Sequence, residues 1–387
     1  MSEIKVNSIK GVGASVAALS INNSDGTCTA NITNRTNKNL IINGAQLIAQ
    51  RGTSSTSTGY QTIDRFALLT SGVDEAPTQA QVDVASGTTP YTNGFRKALK
   101  ITNGNQTSGA GSADYIIVRH KIEAQNLANS GWNYTSTSSN VTLSFWVKAS
   151  VAQNYYFSVL SSDGTLQNFP METGSLTADT WTKITKTIPG AANVQFNNDN
   201  GIGIELDWWL FAGTSYTASG VALNTWAPYA SGTRFPDHTS TWYTTNDATL
   251  EITGVQLEVG SVATDFEHKS FGQELALCQR YFLRIPDQNA SSGYAFLAQG
   301  AGHDNNGFLC NFHFPTTMRS NPSLSTTGSL RAYNGGGITL NSVVLNSSSV
   351  ASACVQCAVA SGVSPKDAVT LGQNNDSDAG VEFSSEL

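Results

Sequence analysis

Five side chains able to move protons or bind a cation crowd one short window. In "ITGVQLEVGSVATDFEHKSFGQELALCQRYF", residues 252–282, stand Glu258, Asp265, Glu267, His268 and Glu274. Two carboxylates facing each other across a glycosidic bond would give acid/base or nucleophilic hydrolysis. A histidine among carboxylates could hold a metal ion. The local pattern argues against both. Glu258 falls on the outward phase of a strand, Asp265 to His268 on a short extended link, and Glu274 in the first turn of a helix, where a carboxylate complements the dipole. These positions share no face. The expectation is a charged hinge with no catalytic residue.

Other catalytic signatures are missing. The chain has no G-x-S-x-G, no H-E-x-x-H, no P-loop and no G-x-G-x-x-G opening a helix. Cys354-Val-Gln-Cys357 has ligand-like spacing, but no second pair or nearby histidine completes a zinc set. These cysteines read as small buried residues in a strand region. Five cysteines leave at least one thiol unpaired within the chain. "NNDNG", residues 197–201, resembles part of a calcium loop without its closing acid. It reads as a turn. No metal site and no cofactor are expected, a structural calcium at such a loop being the one the sequence would accommodate.

The aromatic residues form the stronger binding signal. Sugars stack their C–H faces on aromatic rings, with amides and hydroxyls around them. Between Trp208 and Tyr243 the chain is dense in such rings. Trp208 follows the inward phase of its strand and Trp209 the opposite one. Trp226 and Tyr229 sit in loop-like "ALNTWAPYASG". Trp209, Trp226, Tyr229 and Trp242 are the candidate glycan-binding residues, Trp226 and Tyr229 foremost.

The elements that must position these residues are strands. In "VTLSFWVK", Val141, Leu143, Phe145 and Val147 share one face, and Thr142, Ser144, Trp146 and Lys148 the other. "GIGIELDWWLF" repeats the pattern. In "LEITGVQLEV" the phase flips at Gly254, as a β-bulge would make it. The fold expected is all-β: an antiparallel jelly-roll β-sandwich over 46–262, a linker with a short helix over 263–282, and a second C-terminal β-sandwich domain over 283–387. An extended N-terminal leader covers 1–45. Ser270 and Gln273 form a capping box for the helix. The helix carries two apolar stripes, more than its own domain needs, so Phe271, Leu275, Leu277, Cys278 and Tyr281 are expected at a homotrimer interface. Ile4 and Val6 alternate in the leader, with Ile9 after them, and its strands lack a core of their own. They are the expected anchor to another protein.

Composition narrows the setting. Of 387 residues only 13% are charged, while 39% are hydrophobic, and the net charge is −7. Without a basic block, phosphate-driven nucleic-acid binding is not expected. Neither is membrane insertion, since no apolar run is long enough. No signal peptide is expected, because the opening residues carry an acid and lack an apolar core segment. An exterior-type surface on a chain folded in a cytoplasm suits a virion component released by lysis.

Longer stretches carry a family likeness. "NLIINGAQLIAQRGTSSTSTGYQTIDRF" resembles the entry to the lectin-like sandwich of phage fibre proteins. "TGVQLEVGSVATDFEHKSFGQELALCQRYF" is similar to the exit and linker of that sandwich. "FPTTMRSNPSL" and the terminal "EFSSEL" resemble the tip domain that follows. The resemblance spans about residues 38–330 and the terminus, and is poor from "RAYNGGG" onward. It implies a trimeric tail fibre with carbohydrate-binding-module-like sandwiches and no fixed catalytic set. The implied partners are host surface polysaccharide, further copies of the chain, and a tail adaptor or nozzle protein receiving the leader. Assembly would occur in the host cytoplasm, with the fibre exposed on the particle. A head or capsid fibre of mainly structural role is the alternative.

Overall fold

The computed structural model describes residues 6–10, 12, 19–21, 24, 28–30, 37–286 and 293–387. The architecture is all-β and antiparallel. Two six-stranded sheets form the sandwich. The first runs, in spatial order, Ala227–Pro228, Gln167–Ser175, Asn154–Ser161, Ile202–Ala212, Tyr115–Glu123 and Phe66–Ser71. The second runs Thr182–Pro189, Asn140–Ala149, Thr249–Val259, Lys97–Thr102, Thr78–Asp83 and Ser54–Ser55. Strand alternation sends Phe145, Phe157, Leu206 and Trp208 inward, where they are buried between the sheets. Phe145 meets the Trp208 ring edge-on at 5.6 Å.

The phase flip at Gly254 is a bulge: the pairing of Thr249–Val259 with Asn140–Ala149 shifts register between Thr253 and Gln256. Gly254 has φ +64°. A Cβ there would lie 2.6 Å from the Phe95 ring, so glycine meets both a left-handed backbone and a close approach.

Residues 37–45, expected in the leader, belong to the sandwich. Leu40 N–H donates to Leu257 O and Val255 N–H to Gly44 O, both at 2.9 Å, and Ile41 is buried in the core. Upstream, Ser8–Ile9, Leu19–Ile21 and Cys28–Ala30 pair into a three-stranded sheet of their own.

The C-terminal unit, expected as a second sandwich, closes most of its strands on themselves. Phe296–Asp304, Gly307–His313, Ser352–Val359, Gly337–Ser348, Leu330–Tyr333 and Ala368–Gln373 form a closed barrel. Phe282–Ile285, Gly380–Ser384 and Ser323–Thr327 form a small sheet beside it. Closure removes free strand edges, which alternation alone does not predict. Phe308, Cys310, Phe312 and Cys357 fill the interior.

The helix spans Phe271–Gln279, with the Ser270–Gln273 capping box formed in both directions. It is no loose hinge. Residues 385–387 lie between helix, sandwich and barrel unit. Arg319 donates to Ser385 O (2.7 Å), Glu386 O (2.9 Å) and Asn200 O (3.0 Å). Buried Arg65 pairs with Glu386 and lies 3.5 Å from the Tyr281 ring centroid. Arg51 lies 3.4 Å from that of Phe282. Lys121 Nζ reaches Leu387 O at 2.9 Å.

Candidate functional site

Trp146 stands on the outer face of the second sheet, opposite Lys183 on one neighbouring strand and Thr253 on the other. Period-2 alternation puts it there: its neighbours Phe145 and Val147 are buried in the core, while Trp146 stays half-buried. The bulge at Gly254 opens a cleft beside it of about 280 Å³, lined by Asn93, Phe95, Ser144, Trp146, Lys183, Gly254, Thr264, Asp265, Phe266 and His268.

The floor is aromatic and rigid. Phe95 is buried; Phe266 meets it edge-on at 4.9 Å, and the His268 ring lies 5.1 Å away. His268 Nε2 bonds Asn93 O at 2.9 Å, and because a carbonyl only accepts, that nitrogen carries the proton. The rim is polar. Lys183 is exposed and makes no ion pair among the described residues. Next on the same face, half-buried Trp181 has the Lys148 ammonium 5.3 Å from its ring, and Lys148 is fixed by Glu251 at 2.9 Å. Two half-open indoles, a free ammonium, one carboxylate and several hydroxyls and amides suit the stacking and hydrogen bonding of a sugar.

The aromatic residues chosen from sequence are differently placed. Trp242 is fully buried, its Nε1 donating to Thr249 O at 3.1 Å. Trp209 does lie on the outer face of the first sheet, but the 213–243 segment folds over it. It is buried against Phe235 at 5.5 Å, with the Arg234 guanidinium 4.9 Å from its ring. Neither indole is free to stack a ligand, and both are corrected to core residues. Trp226 is half-buried, packed on Phe169 at 5.1 Å and donating to Pro189 O at 2.7 Å. Tyr229 is half-buried beside Arg234. Trp226 and Tyr229 are not brought together with the Trp146 cleft.

Beneath the 213–243 segment the first sheet carries an ion cluster. Arg119 grips Asp207 through Nε (2.6 Å) and Nη2 (2.7 Å) and reaches Glu205 at 2.9 Å. Burial outweighs these cations at Glu205 and raises its pKa above the ordinary carboxylate value.

The carboxylates of residues 252–282 serve the backbone. Glu258, expected to face outward, is buried; it accepts from Thr264 N (2.8 Å) and Oγ1 (2.6 Å). Its phase is outward as expected, since Val255 and Leu257 face the core; it is buried because the segment around Thr264 folds back over it. Glu267 accepts from Asn37 N–H and, at 2.8 Å, from Asn39 N–H. Glu274 accepts from Asn43 N–H. They clamp the 37–43 segment, and of the group only Asp265 and His268 line the Trp146 cleft. In "NNDNG", Asn197 binds Asp163 through N–H (2.8 Å) and Nδ2 (2.9 Å), and Asp199 closes a turn on Gly201 N–H.

On the helix, Cys278 and Tyr281 are buried against the chain's own sandwich and junction, which corrects their placement at an interface between copies. Glu274 joins them on the buried stripe because Asn43 N–H satisfies its charge. Phe271 is 62% exposed and Leu277 36%, while Leu275 is half-buried. In the leader, Val6 and Ile9 are exposed, and Ile4 lies outside the described residues.

Sequence reasoning passed over Trp146 and Trp181. The signal for Trp146 was its phase in "VTLSFWVK", which sets it with Ser144 and Lys148 away from Phe145.

No protein-family model matches the sequence, and no curated protein does. Among solved structures, the chain is similar to the carbohydrate-binding module CBM4, with TM-score 0.30 and 13% identity over 57% of this chain and 99% of that one. It is similar to a putative sugar-binding protein from Bacteroides thetaiotaomicron, with TM-score 0.30 and 12% identity over 58% of this chain and 100% of the other. It is also similar to the enzymatically active domain of tailspike protein 4 of bacteriophage CBA120, with TM-score 0.30 and 8% identity over 57% of this chain. That last match spans 21% of the tailspike chain.

Proposed function

We propose that this chain is a virion fibre protein that holds host surface glycan in the Trp146 cleft without cleaving it. The observation that carries the binding reading is a half-open tryptophan on a rigid sheet face, lining a polar cleft of about 280 Å³ with Lys183 unpaired at its rim. A sheet holds an indole in place at little entropic cost on binding. Among the lining residues Asp265 is the only carboxylate, where glycoside hydrolysis by the common mechanism needs two. The fibre reading rests on the sequence resemblance: a homotrimer attached to the tail through its leader. Three weak sites at one locus gain avidity without new contacts.

The test is adsorption of the purified protein to host cells and to their extracted surface polysaccharide. Trp146→Ala is expected to reduce adsorption about tenfold, the loss of roughly one stacked ring with its contact area, with little change in Tm. Undiminished adsorption would remove the cleft from the function. Release of oligosaccharides by the wild-type protein would make it an enzyme. Immunogold labelling of intact particles separates tail from head placement.

A further inference from the structure

Far along the chain, the barrel carries a second aromatic face. Phe296, Gly372 and Arg331 form one cross-strand row on adjacent strands, and Tyr333 stands two residues beyond Arg331. The intervening Ala332 and Leu371 are buried in the barrel, so this row points outward. Phe296 is 62% exposed, Tyr294 47% and Tyr333 37%. Gly372 supplies no side chain between its neighbours, and Phe296 lies across the gap, 3.1 Å from where a Cβ would stand. Its ring comes within 5.8 Å of Tyr333.

Arg331 lies among these rings, its guanidinium 4.7 Å from the Tyr294 ring and 5.7 Å from the Tyr333 ring. Among the described residues it makes no hydrogen bond and no ion pair, and its Nε is buried without a partner. Among the described residues every other arginine meets a carboxylate or a backbone carbonyl, as Arg119, Arg234, Arg280, Arg284 and Arg319 do. A guanidinium fork left open beside exposed ring faces matches a ligand with a carboxylate on an apolar-faced ring.

We propose that this face of the barrel binds a carboxylate-bearing sugar, a uronate or sialate residue, with the carboxylate on Arg331 and the ring on Phe296 and Tyr333. The site is separate from the Trp146 cleft and stands or falls without it. Net charge of −7 disfavours unspecific attraction of polyanions, so binding to an acidic polymer reports a local site.

The experiment is affinity electrophoresis of the full chain through native gels containing polygalacturonate, alginate, hyaluronate or polysialic acid. Dextran serves as the neutral control and poly-L-glutamate as the acidic control without a sugar ring. Retardation by at least one acidic polysaccharide, and by neither control, is expected. Arg331→Gln should weaken it about tenfold or more, the loss of a charge-assisted hydrogen bond. Phe296→Ala should weaken it too, with Tm unchanged because that ring is exposed; it decides the matter if the arginine variant does not fold. Trp146→Ala should leave this retardation intact. The proposal is overturned by no retardation in any of the four polymers or by equal retardation in poly-L-glutamate. It is equally overturned if Phe296→Ala binds as wild type, or if the acidic binding is lost in Trp146→Ala.

Discussion

Arg280 and Glu123 meet side by side: Nε donates to Oε1 at 2.7 Å and Nη2 to Oε2 at 2.8 Å, joining the end of the helix to the edge of the sandwich. The Tyr281 hydroxyl donates to the same carboxylate. Burial pushes the Glu123 pKa up, but the hydrogen bonds from Arg280 and Tyr281 outweigh it and leave the group below its ordinary value. Glu123→Gln should cost about 3 kcal/mol, the scale for removing one partner of a buried pair. A depressed carboxylate stabilises the fold above its unfolded pKa and loses that contribution as pH falls through the folded one. The wild type should therefore lose stability below about pH 4. Urea melts of both proteins at neutral and acid pH check this; identical acid sensitivity would mean the pair does not matter.

Asp64 behaves in the opposite sense. It is buried, and burial raises its pKa to about 6 despite nearby Arg51 and the hydrogen bonds from Gln50. A raised carboxyl favours the fold while protonated. That contribution is complete below about pH 4 and fades as pH rises through 6. Asp64→Asn should flatten the decline between pH 4 and 6, worth about 3 kcal/mol for a shift of this size. Tm measured against pH in the two proteins is the readout, and a decline of equal size in both would assign it to another group.

Gly254 holds the cleft open. Alanine there would combine a left-handed backbone with a contact on Phe95, costing about 2 kcal/mol or more. Because Phe95 forms the cleft floor, glycan adsorption should fall at temperatures where the variant is still folded. A variant with wild-type Tm would show that the bulge relaxes freely.

Phe271 and Leu277 remain exposed after the rest of the helix has found partners. In the trimer proposed above, changing both to Asp should release monomers without loss of the helix, whose buried face is Glu274 and Cys278. Light scattering and circular dichroism measure the two effects. A double variant of unchanged mass would show that this helix face does not hold copies of the chain together.

Residue types and their alternation were enough to determine the strands, the bulge at Gly254, the capping box at Ser270 and the inward Trp208. Each depends on neighbours within a few positions, where period 2, glycine torsion and short-range capping act. Alternation also put Trp146 outward, but it could not rank that open indole above Trp209, because cover over a sheet face comes from distant chain. Only tertiary structure decided that residues 213–243 bury Trp209 and that Trp242 lies inside. The same holds for Glu258, whose charge is buried because Thr264 reaches back to it, and for Tyr281, which found Glu123 and Arg65 within its own chain. Whether a strand set ends as an open sandwich or a closed barrel likewise depends on which edges meet. Local sequence specifies faces; it does not specify what arrives to cover them.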